Sequence, residues 1–386
     1  MPQNNFSTMN IISSSSSPLL NRLNNYGKQG LNRSIRGYDV GNLIKGYTSF
    51  IDLLPSSSDP ALYEPNQSLD NALHPLTHKR LKHFIENEFD LIKFGIKANS
   101  RVAIIMPNGT ELAVTLLCVM SRWCAAPISS LSTTNEMIKE LISMKCIAMI
   151  IMTTGTSGAM GKNECALEAA DHLGLGVIAI QAMKGSIIAG LFDYKLIKNI
   201  EMKSNRHVKT MLTNANGFIT YDHPEIVLLL HTSGTSGNKK LVPYTLDMLI
   251  IGAGCIISSW NLTPADVCLN MMPLFHIGGI VRNLLCPILS GGSVILCGGF
   301  DSVLFWDILD QVNYSKHLPS FTWYYSSPSM HHTILLDSEY RSKPLPVQSI
   351  RFIANAAGGL LPALAKQLKD TFHAAIILTS YGMTEW

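Results

Sequence analysis

The chain has little charge and lacks the cysteine spacing of a metal or disulfide scaffold. Charged residues make up 15% of its 386 residues, hydrophobic residues make up 47%, and the formal net charge is +3. This small charge gives no indication of nucleic-acid binding. The eight cysteines contain no C-x-x-C pair, which argues against a zinc site and for reduced thiols in an intracellular protein. The longest apolar run, at 248–257, is about half of a membrane span, so no membrane span is expected.

The first 38 residues contain no acidic residue. They include five serines at 13–17, many asparagines and several arginines. An acid-free start with Ser and Arg is typical of an organelle transit peptide, whereas low complexity is typical of a disordered tail. The sequence predicts a disordered leader over residues 1–45 and leaves organelle targeting as the alternative. Without targeting, a cytoplasmic location is expected.

Short apolar runs alternate with helical patterns from residue 46 onward. One example is the strand-like run at 101–106, which precedes a helical pattern at 111–120. Strands that alternate with helices indicate an α/β fold with a doubly wound, mainly parallel sheet. Because 386 residues exceed one ordinary domain, we expect two such subdomains packed together, over about 46–224 and 225–386.

A Ser/Thr/Gly loop at 232–237 is the most specific chemical signal. Apolar residues at 226–230 predict a buried strand before it, and Leu241-Val242-Pro243 predicts a second strand after it. The candidate residues are Thr232, Ser233, Gly234, Thr235, Ser236 and Gly237, followed by Lys239 and Lys240. Glycines let backbone N–H groups approach a ligand closely, and consecutive N–H groups form a concave site for phosphate oxygens. Hydroxyls and a lysine add further donors.

The loop is therefore predicted to bind phosphate, with a polar hairpin turn and solvated lysines as the alternative. It is not a Walker loop, because the spacing from Gly234 to Lys239 does not fit and a strand follows instead of a helix. A similar string, TTGTSGAMGKNE, occurs at 153–164. There the glycine spacing is one residue too long, and Asn163 stands where Ser or Thr would hold magnesium. We interpret it as a strand-to-helix connection, with phosphate binding as the alternative.

Three later stretches carry further candidates. A predicted strand at 267–272 leads to His276, whose spacing fits a site role and a structurally satisfied histidine equally. Adjacent His331 and His332 point about 100° apart on a helix, which makes them a poor metal pair. A glycine turn follows the predicted strand at 349–354 and would let a flat ring lie against backbone; its residues are Ala357, Gly358, Gly359 and Leu360.

The chain closes on Tyr381-Gly382-Met383-Thr384-Glu385-Trp386. Tyr381 offers an aromatic face, Thr384 offers a hydroxyl, and Glu385 offers a hard oxygen ligand of the kind that Mg²⁺ prefers.

With these motifs in this order, the sequence resembles the adenylate-forming superfamily of AMP-dependent synthetases and ligases. Its signatures are a Ser/Thr/Gly loop followed by Pro-Lys-Gly, and later Tyr-Gly-x-Thr-Glu. This chain has Lys239 where the family usually has Pro and Leu241 where it usually has Gly. The strings HTSGTSG, MPLFHIGG and WYYSSPSMH make it look closer to acyl- or dicarboxylyl-CoA synthetases than to luciferases. The matching features run from about residue 70 to the final residue.

The resemblance implies that a small-molecule carboxylic acid is activated by ATP and Mg²⁺ to acyl-AMP, and that the acyl group passes to the thiol of coenzyme A or of a carrier protein. Fatty acid metabolism is the general expectation, and the acyl group itself stays open. The implied roles are β,γ-phosphate binding by loop 232–237 and Lys240, adenosine binding by Ala357, Gly358, Gly359, Leu360, Tyr381 and Gly382, α-phosphate binding by Thr384, Mg²⁺ binding by Glu385 and Thr235, and acyl orientation by His276. Lys240, His276 and Thr384 are the residues implied in catalysis.

In the family, this large domain is followed by a ribose-binding aspartate, a hinge and a small mobile domain whose lysine promotes adenylation. None of these follows in the sequence, so we expect an incomplete large domain without the C-terminal lid, unable to run the full reaction at a normal rate. Two alternatives stay open. One is an adenylation module that acts on a carrier protein, and the other is a non-catalytic nucleotide-binding protein.

Overall fold

The computed structural model describes residues 16–27, 46–65, 73–199, 226–232, 239–310, 318–341 and 343–385. The strands in these residues are β1 (Pro60–Tyr63), β2 (Leu76–Thr77), β3 (Arg101–Met106), β4 (Cys124–Ser129), β5 (Ala148–Thr154), β6 (Gly176–Ala182), β7 (Phe192–Lys198), β8 (Ile226–His231), β9 (Leu241–Thr245), β10 (Val267–Asn270), β11 (Ser293–Leu296), β12 (Trp323–Ser326), β13 (Phe352–Asn355) and β14 (Ile376–Thr379).

The α-helices are α1 (Pro18–Gly27), α2 (His78–His83), α3 (Thr110–Arg122), α4 (Thr134–Met144), α5 (Glu164–Leu173), α6 (Leu246–Trp260), α7 (Cys286–Leu289), α8 (Ser302–Asp310), α9 (Pro328–Ser338) and α10 (Pro362–Thr371). Short 3-10 helices cover Phe50–Leu53 and Ile92–Phe94, and the wider π-helical hydrogen bonding occurs at Phe84–Glu88 and Gly278–Leu285.

Two mainly parallel sheets form the framework of the described residues. The first has the order β7-β6-β5-β3-β4-β8-β9, and the second has the order β14-β13-β12-β10-β11-β1-β2. In the first sheet only the edge pairs β6–β7 and β8–β9 are antiparallel, and in the second only β1–β2 is. Parallel sheets are covered on both faces, which explains runs such as β3, buried at every residue after Arg101. The expected α/β fold with mainly parallel sheets is confirmed.

The chain crosses between the two sheets in both directions. β1 pairs with β11 of the second sheet through Leu62 and Val294, although it precedes every strand of the first sheet. β8 pairs with β4 of the first sheet through Ala125 and Leu228. Strand membership therefore differs from the division expected at residue 225, because the hairpin β8–β9 completes the edge of the first sheet.

The expected disordered leader over residues 1–45 is wrong for residues 16–27. There α1 packs against α6 and α7. Leu19 is fully buried, and the hydroxyl of Ser17 donates a hydrogen bond to the carbonyl of Leu289. Pro18 stands at the first helical position, which proline favours. The serine-rich composition of the leader concealed this short amphipathic helix.

The helices form layers around the sheets. α3 is buried at eleven consecutive residues, which is typical of a helix enclosed on all sides, and it belongs to a core cluster that spans both sheets. α4 and α5 contribute to a second cluster on the outer face of the first sheet, and α8, α9 and α10 contribute to a third on the second sheet. None of the helices in the described ranges combines the length and hydropathy needed to cross a bilayer.

Candidate functional site

The predicted site segments follow strands β10, β13 and β14 of the second sheet. His276 comes after β10, the glycine turn with Ala357 comes after β13, and the closing segment with Tyr381 comes after β14. These strands run parallel in adjacent positions, joined through β12. Parallel strands end at a common edge, and ligands of α/β proteins bind in the crevice beyond that edge. The topology therefore brings three separate sequence motifs to one side of the sheet.

The hairpin β8–β9 has the form that the sequence predicts. Its two strands pair antiparallel from Ile226 with Thr245 to His231 with Leu241. Beyond the last strand pair, Thr232 N–H donates to the carbonyl of Lys240 at 3.0 Å, and Lys240 N–H donates to Thr232 Oγ1 at 3.1 Å. We call His231, Thr232, Lys239 and Lys240 the neck of the loop. The predicted phosphate ligands Ser233, Gly234, Thr235, Ser236 and Gly237 lie outside the described residues.

The neck of the loop contacts the closing segment of the chain. Lys240 Nζ lies 3.3 Å from Glu385 Oε1. The hydroxyl of Tyr244, on β9, donates to the carbonyl of Thr384. Burial, followed by the nearby charge of Glu385, raises the pKa of Tyr244, so the phenol keeps the proton that it donates. The structure thus joins residues about 140 positions apart in the sequence, and that they form one nucleotide site stays a prediction.

The glycine turn after β13 is held between α9 and the closing segment. Ala357 has a φ of +60°, in the left-handed region. A Cβ on Gly358 would lie 3.2 Å from the ring of Pro328, at the start of α9. The Asn355 side-chain amide donates to the Gly358 carbonyl at 3.0 Å, and the N–H of Ser380 donates to the Asn355 carbonyl at 3.0 Å. These contacts fix the turn beside the closing segment.

The surface next to this turn is open. Ala357, Gly358, Gly359 and Gly382 are exposed, and Leu360 is half-buried. Tyr381 is 80% exposed, so its aromatic face is available to a flat ring. Small exposed residues beside an available aromatic ring suit the adenosine role that the resemblance implies.

The segment that precedes His276 is hydrogen-bonded to the turn after β3. The side chain of Asn108, from the turn after β3, accepts a hydrogen bond from Leu274 N–H at 2.9 Å and donates to the carbonyl of Cys297 at 2.8 Å. The His276 ring packs against Phe275, with ring centroids 4.6 Å apart. Desolvation and then the positive charge of Lys239 lower the pKa of His276. The imidazole is therefore neutral at neutral pH, and the neck of the loop lies near enough to influence it.

The adjacent histidines on α9 have different surroundings. His331 is fully buried and its Nδ1 lies 3.3 Å from the hydroxyl of Tyr324, whereas His332 is exposed. Burial lowers the pKa of His331 to about 4. His331 is therefore a neutral core residue.

The second TxGTSG string connects β5 to α5, as expected, and its donors face carboxylates. Thr156 Oγ1 lies 2.6 Å from Glu111 Oε1 and 2.9 Å from Glu64 Oε2, and Thr156 N–H also donates to Glu111. Thr110 Oγ1 lies 2.8 Å from Glu64 Oε2. Desolvation and then the charge of Glu111 raise the pKa of Glu64. A loop whose donors already bind two acidic groups does not suit phosphate, which the carboxylates would repel.

Glu385 has the chemistry of the Mg²⁺ ligand that the resemblance implies. Within the described residues, no group of three or more His, Cys, Asp or Glu side chains could hold a metal. Mg²⁺ is commonly bound through one or two carboxylates together with substrate phosphates, and Glu385 offers one carboxylate whose side chain is 37% exposed. Thr235, the other predicted ligand, lies outside the described residues.

Sequence reasoning missed three residues that the structure adds to this region. Tyr244 donates a hydrogen bond to the closing segment, and Glu140 contacts His231 of the neck. His231 could have been noticed as the polar last residue of an apolar strand. Nothing in the sequence pairs Glu140 with Lys239, because 99 positions separate them.

Several solved structures share the fold of this chain. ATP-bound MatB from Rhodopseudomonas palustris superposes with a TM-score of 0.62 at 19% identity, covering 87% of this chain and 59% of that one. At this identity the similarity establishes the fold alone.

Sequence comparison establishes the family. The family model described as "AMP-binding enzyme" matches residues 90–386. The chain therefore belongs to the AMP-binding enzyme family. The chain is 30% identical over 315 residues to a probable CoA ligase, CCL9, of Humulus lupulus, covering 80% of this chain and 54% of that protein. It is 28% identical over 316 residues to an oxalate–CoA ligase of Arabidopsis thaliana, covering 80% of this chain and 56% of that protein. The chain spans about half the length of the curated relatives it matches.

Proposed function

We propose that this chain serves the ATP-dependent activation of a carboxylic acid to acyl-AMP, followed by transfer of the acyl group to the thiol of coenzyme A. The observation that carries the proposal is the contact between the β8–β9 hairpin and the closing segment, Lys240 with Glu385 and Tyr244 with Thr384. The family and the names of the relatives, which are CoA ligases, support the same reaction. Because ATP and coenzyme A are intracellular, we propose an intracellular location.

The ion pair suggests how the nucleotide is received. Lys240 and Glu385 are counterions of each other, and their side chains are 76% and 37% exposed. The β,γ-phosphates of ATP would replace Glu385 as the partner of Lys240. The Glu385 carboxylate would then be free to bind the magnesium of MgATP. When bound, Mg²⁺ neutralises phosphate charge that develops during attack on the α-phosphorus. Lys240 adds a fixed positive charge beside the same phosphates.

The remaining residues would position the adenine, the α-phosphate and the acyl group. Ala357 and Gly358 would receive the adenine against the backbone, with Tyr381 as its aromatic contact. Thr384 would donate its hydroxyl to the α-phosphate. His276, neutral because its pKa is lowered, would orient the acyl group without placing a positive charge there.

We propose a short acid with a second acidic group as the substrate class. Relatives are named for oxalate and malonate. Arg282, on the π-helical segment Gly278–Leu285 that follows His276, donates from Nη1 to the Tyr325 hydroxyl at 2.9 Å. It forms no ion pair with a carboxylate of the described residues. A guanidinium has five N–H donors and suits planar acid groups, so Arg282 retains donors for a second carboxylate.

Titration calorimetry and isotope exchange test the reaction. The chain should bind ATP and a nonhydrolysable acyl-AMP mimic, and its acid-dependent exchange between ATP and pyrophosphate should be detectable but slow, as the sequence leads us to expect. Absence of binding for both ligands would overturn the proposal. Binding without exchange would favour the non-catalytic alternative. Transfer to a carrier protein and not to free coenzyme A would favour the adenylation module.

A further inference from the structure

A single carboxylate contacts both sides of the loop's neck. Glu140 lies on α4 and is 9% exposed. Its Oε1 accepts a hydrogen bond from Lys239 Nζ at 2.5 Å, and its Oε2 lies 3.7 Å from His231 Nδ1. His231 is the last residue of β8, and Lys239 precedes β9 by two positions. Glu140 therefore contacts the chain just before and just after the Ser/Thr/Gly loop.

The histidine on this side has a hydrogen-bond partner at Nε2, whereas its Nδ1 lies 3.7 Å from Glu140 Oε2 without a hydrogen bond. Ser143, on the next turn of α4, has its Oγ 3.0 Å from His231 Nε2. The His231 side chain is only 7% exposed. Together with Glu140, Ser143 bonds α4 to the end of β8, so the helix and the neck form one connected unit.

The two lysines of the neck contact opposite partners. Lys239 binds Glu140 of the helical layer, whereas Lys240 binds Glu385 of the closing segment. Neighbouring residues of an extended chain point to opposite sides, which allows this division. Lys240 is thus available to the proposed nucleotide site, whereas Lys239 is paired with Glu140 on the opposite side of the neck.

Lys239 occupies the position where the resemblance expects proline. Proline fixes its own φ and so stiffens a loop end, and lysine lacks that restraint. The ion pair between Lys239 and Glu140 supplies a different restraint on the loop end. Burial raises the pKa of Glu140, but hydrogen bonds and charges from His231 and Lys239 outweigh it and bring the pKa below its usual value. Glu140 is therefore ionised at neutral pH; it pairs with Lys239 and contacts His231.

We propose that Glu140 is a positioning residue, which fixes the neck of the phosphate loop through Lys239 and His231 and replaces the restraint of the missing proline. The inference rests on the proposed function, because it assigns the loop to the β,γ-phosphates of ATP. It predicts that Glu140 matters for ligands that carry those phosphates and not for ligands that lack them.

Calorimetry on four variants tests this role. Glu140→Gln keeps the shape of the side chain and removes its charge, and it should weaken ATP binding by about tenfold. Binding of the acyl-AMP mimic, which lacks the β,γ-phosphates, should stay within about twofold of the parent chain. Lys239→Met should match Glu140→Gln, and the double variant should be no worse than either, because both remove one interaction. Lys239→Pro combined with Glu140→Gln should restore much of the ATP affinity.

Glu164→Gln is the matched control, because Glu164 is an exposed glutamate at the start of α5. If Glu140→Gln binds ATP as tightly as Glu164→Gln does, the positioning role is refuted while the proposed function stands. Equal losses for ATP and the mimic would also refute it, since they indicate a general structural effect. If the parent chain binds neither ligand, the proposed function fails. Hydrogen exchange then still tests the restraint, because Glu140→Gln should speed exchange at 231–241 and unchanged exchange would contradict it.

Discussion

Replacing Lys240 with methionine separates its role in folding from its role in nucleotide binding. The Lys240 side chain is 76% exposed and its partner Glu385 is 37% exposed. Exposed ion pairs contribute about 0–1 kcal/mol to stability, so the free energy of unfolding should change by no more than that. A hydrogen bond from a charged group contributes about 1.5–3 kcal/mol. At about 1.4 kcal/mol per tenfold change, the loss of such a bond to phosphate weakens ATP binding roughly 10- to 150-fold.

The control for this variant is Lys366→Met. Lys366 on α10 is also 76% exposed, and its Nζ lies 2.6 Å from Asp370 Oδ2. The two variants therefore remove similar ion pairs, only one of which belongs to the proposed site. Calorimetry with MgATP measures the affinity, and urea unfolding measures the stability. An ATP affinity for Lys240→Met within about twofold of that for Lys366→Met would refute the phosphate role.

Three further predictions concern separate parts of the molecule. Thr133→Ala removes the capping box that Thr133 forms with Glu136 at the start of α4 and should lower the free energy of unfolding by about 1 kcal/mol in urea titrations; an unchanged value would contradict the cap. Glu64 has a folded-state pKa raised above 4.5, so the stability that it contributes is complete below pH 4.5 and is lost as the pH rises through the raised value. Glu64→Gln should therefore be more stable than the parent chain at about pH 8 and lose this advantage near pH 4.5, and a pH-independent difference in unfolding free energy would contradict the sign. Arg282→Met should weaken the binding of an acyl-AMP mimic with a second carboxylate by about tenfold and leave the binding of a monocarboxylate mimic unchanged. Equal losses of affinity for the two mimics in calorimetry would contradict the proposed substrate class.

Local patterns predicted the parts of the structure that depend on local interactions. The β8–β9 hairpin follows from a five-residue apolar run, a polar glycine loop and a second short strand. The glycine turn after β13 needs the left-handed φ at Ala357, and the small residues around it indicated such a turn. The order of these motifs also predicted the family, which the comparison confirms.

Long-range partners were not predictable from the same patterns. The sheet that receives β1 depends on a parallel pairing with β11, more than 200 positions later, and no periodicity encodes that choice. Helix α1 was missed because two buried leucines in a serine-rich leader carry little weight in an average over composition. Glu140 has the sequence environment of an ordinary helix-surface glutamate, and only the fold brings it to Lys239.

The central claim is that the Ser/Thr/Gly loop and the closing Thr-Glu pair belong to one nucleotide site. Hydrogen exchange with and without MgATP tests it most directly, because the method follows both segments in one experiment. We predict that MgATP slows exchange in the peptides covering 226–245 and 376–386 together, and that Lys240→Met reduces both effects. Protection of one peptide with no change in the other would contradict the shared site.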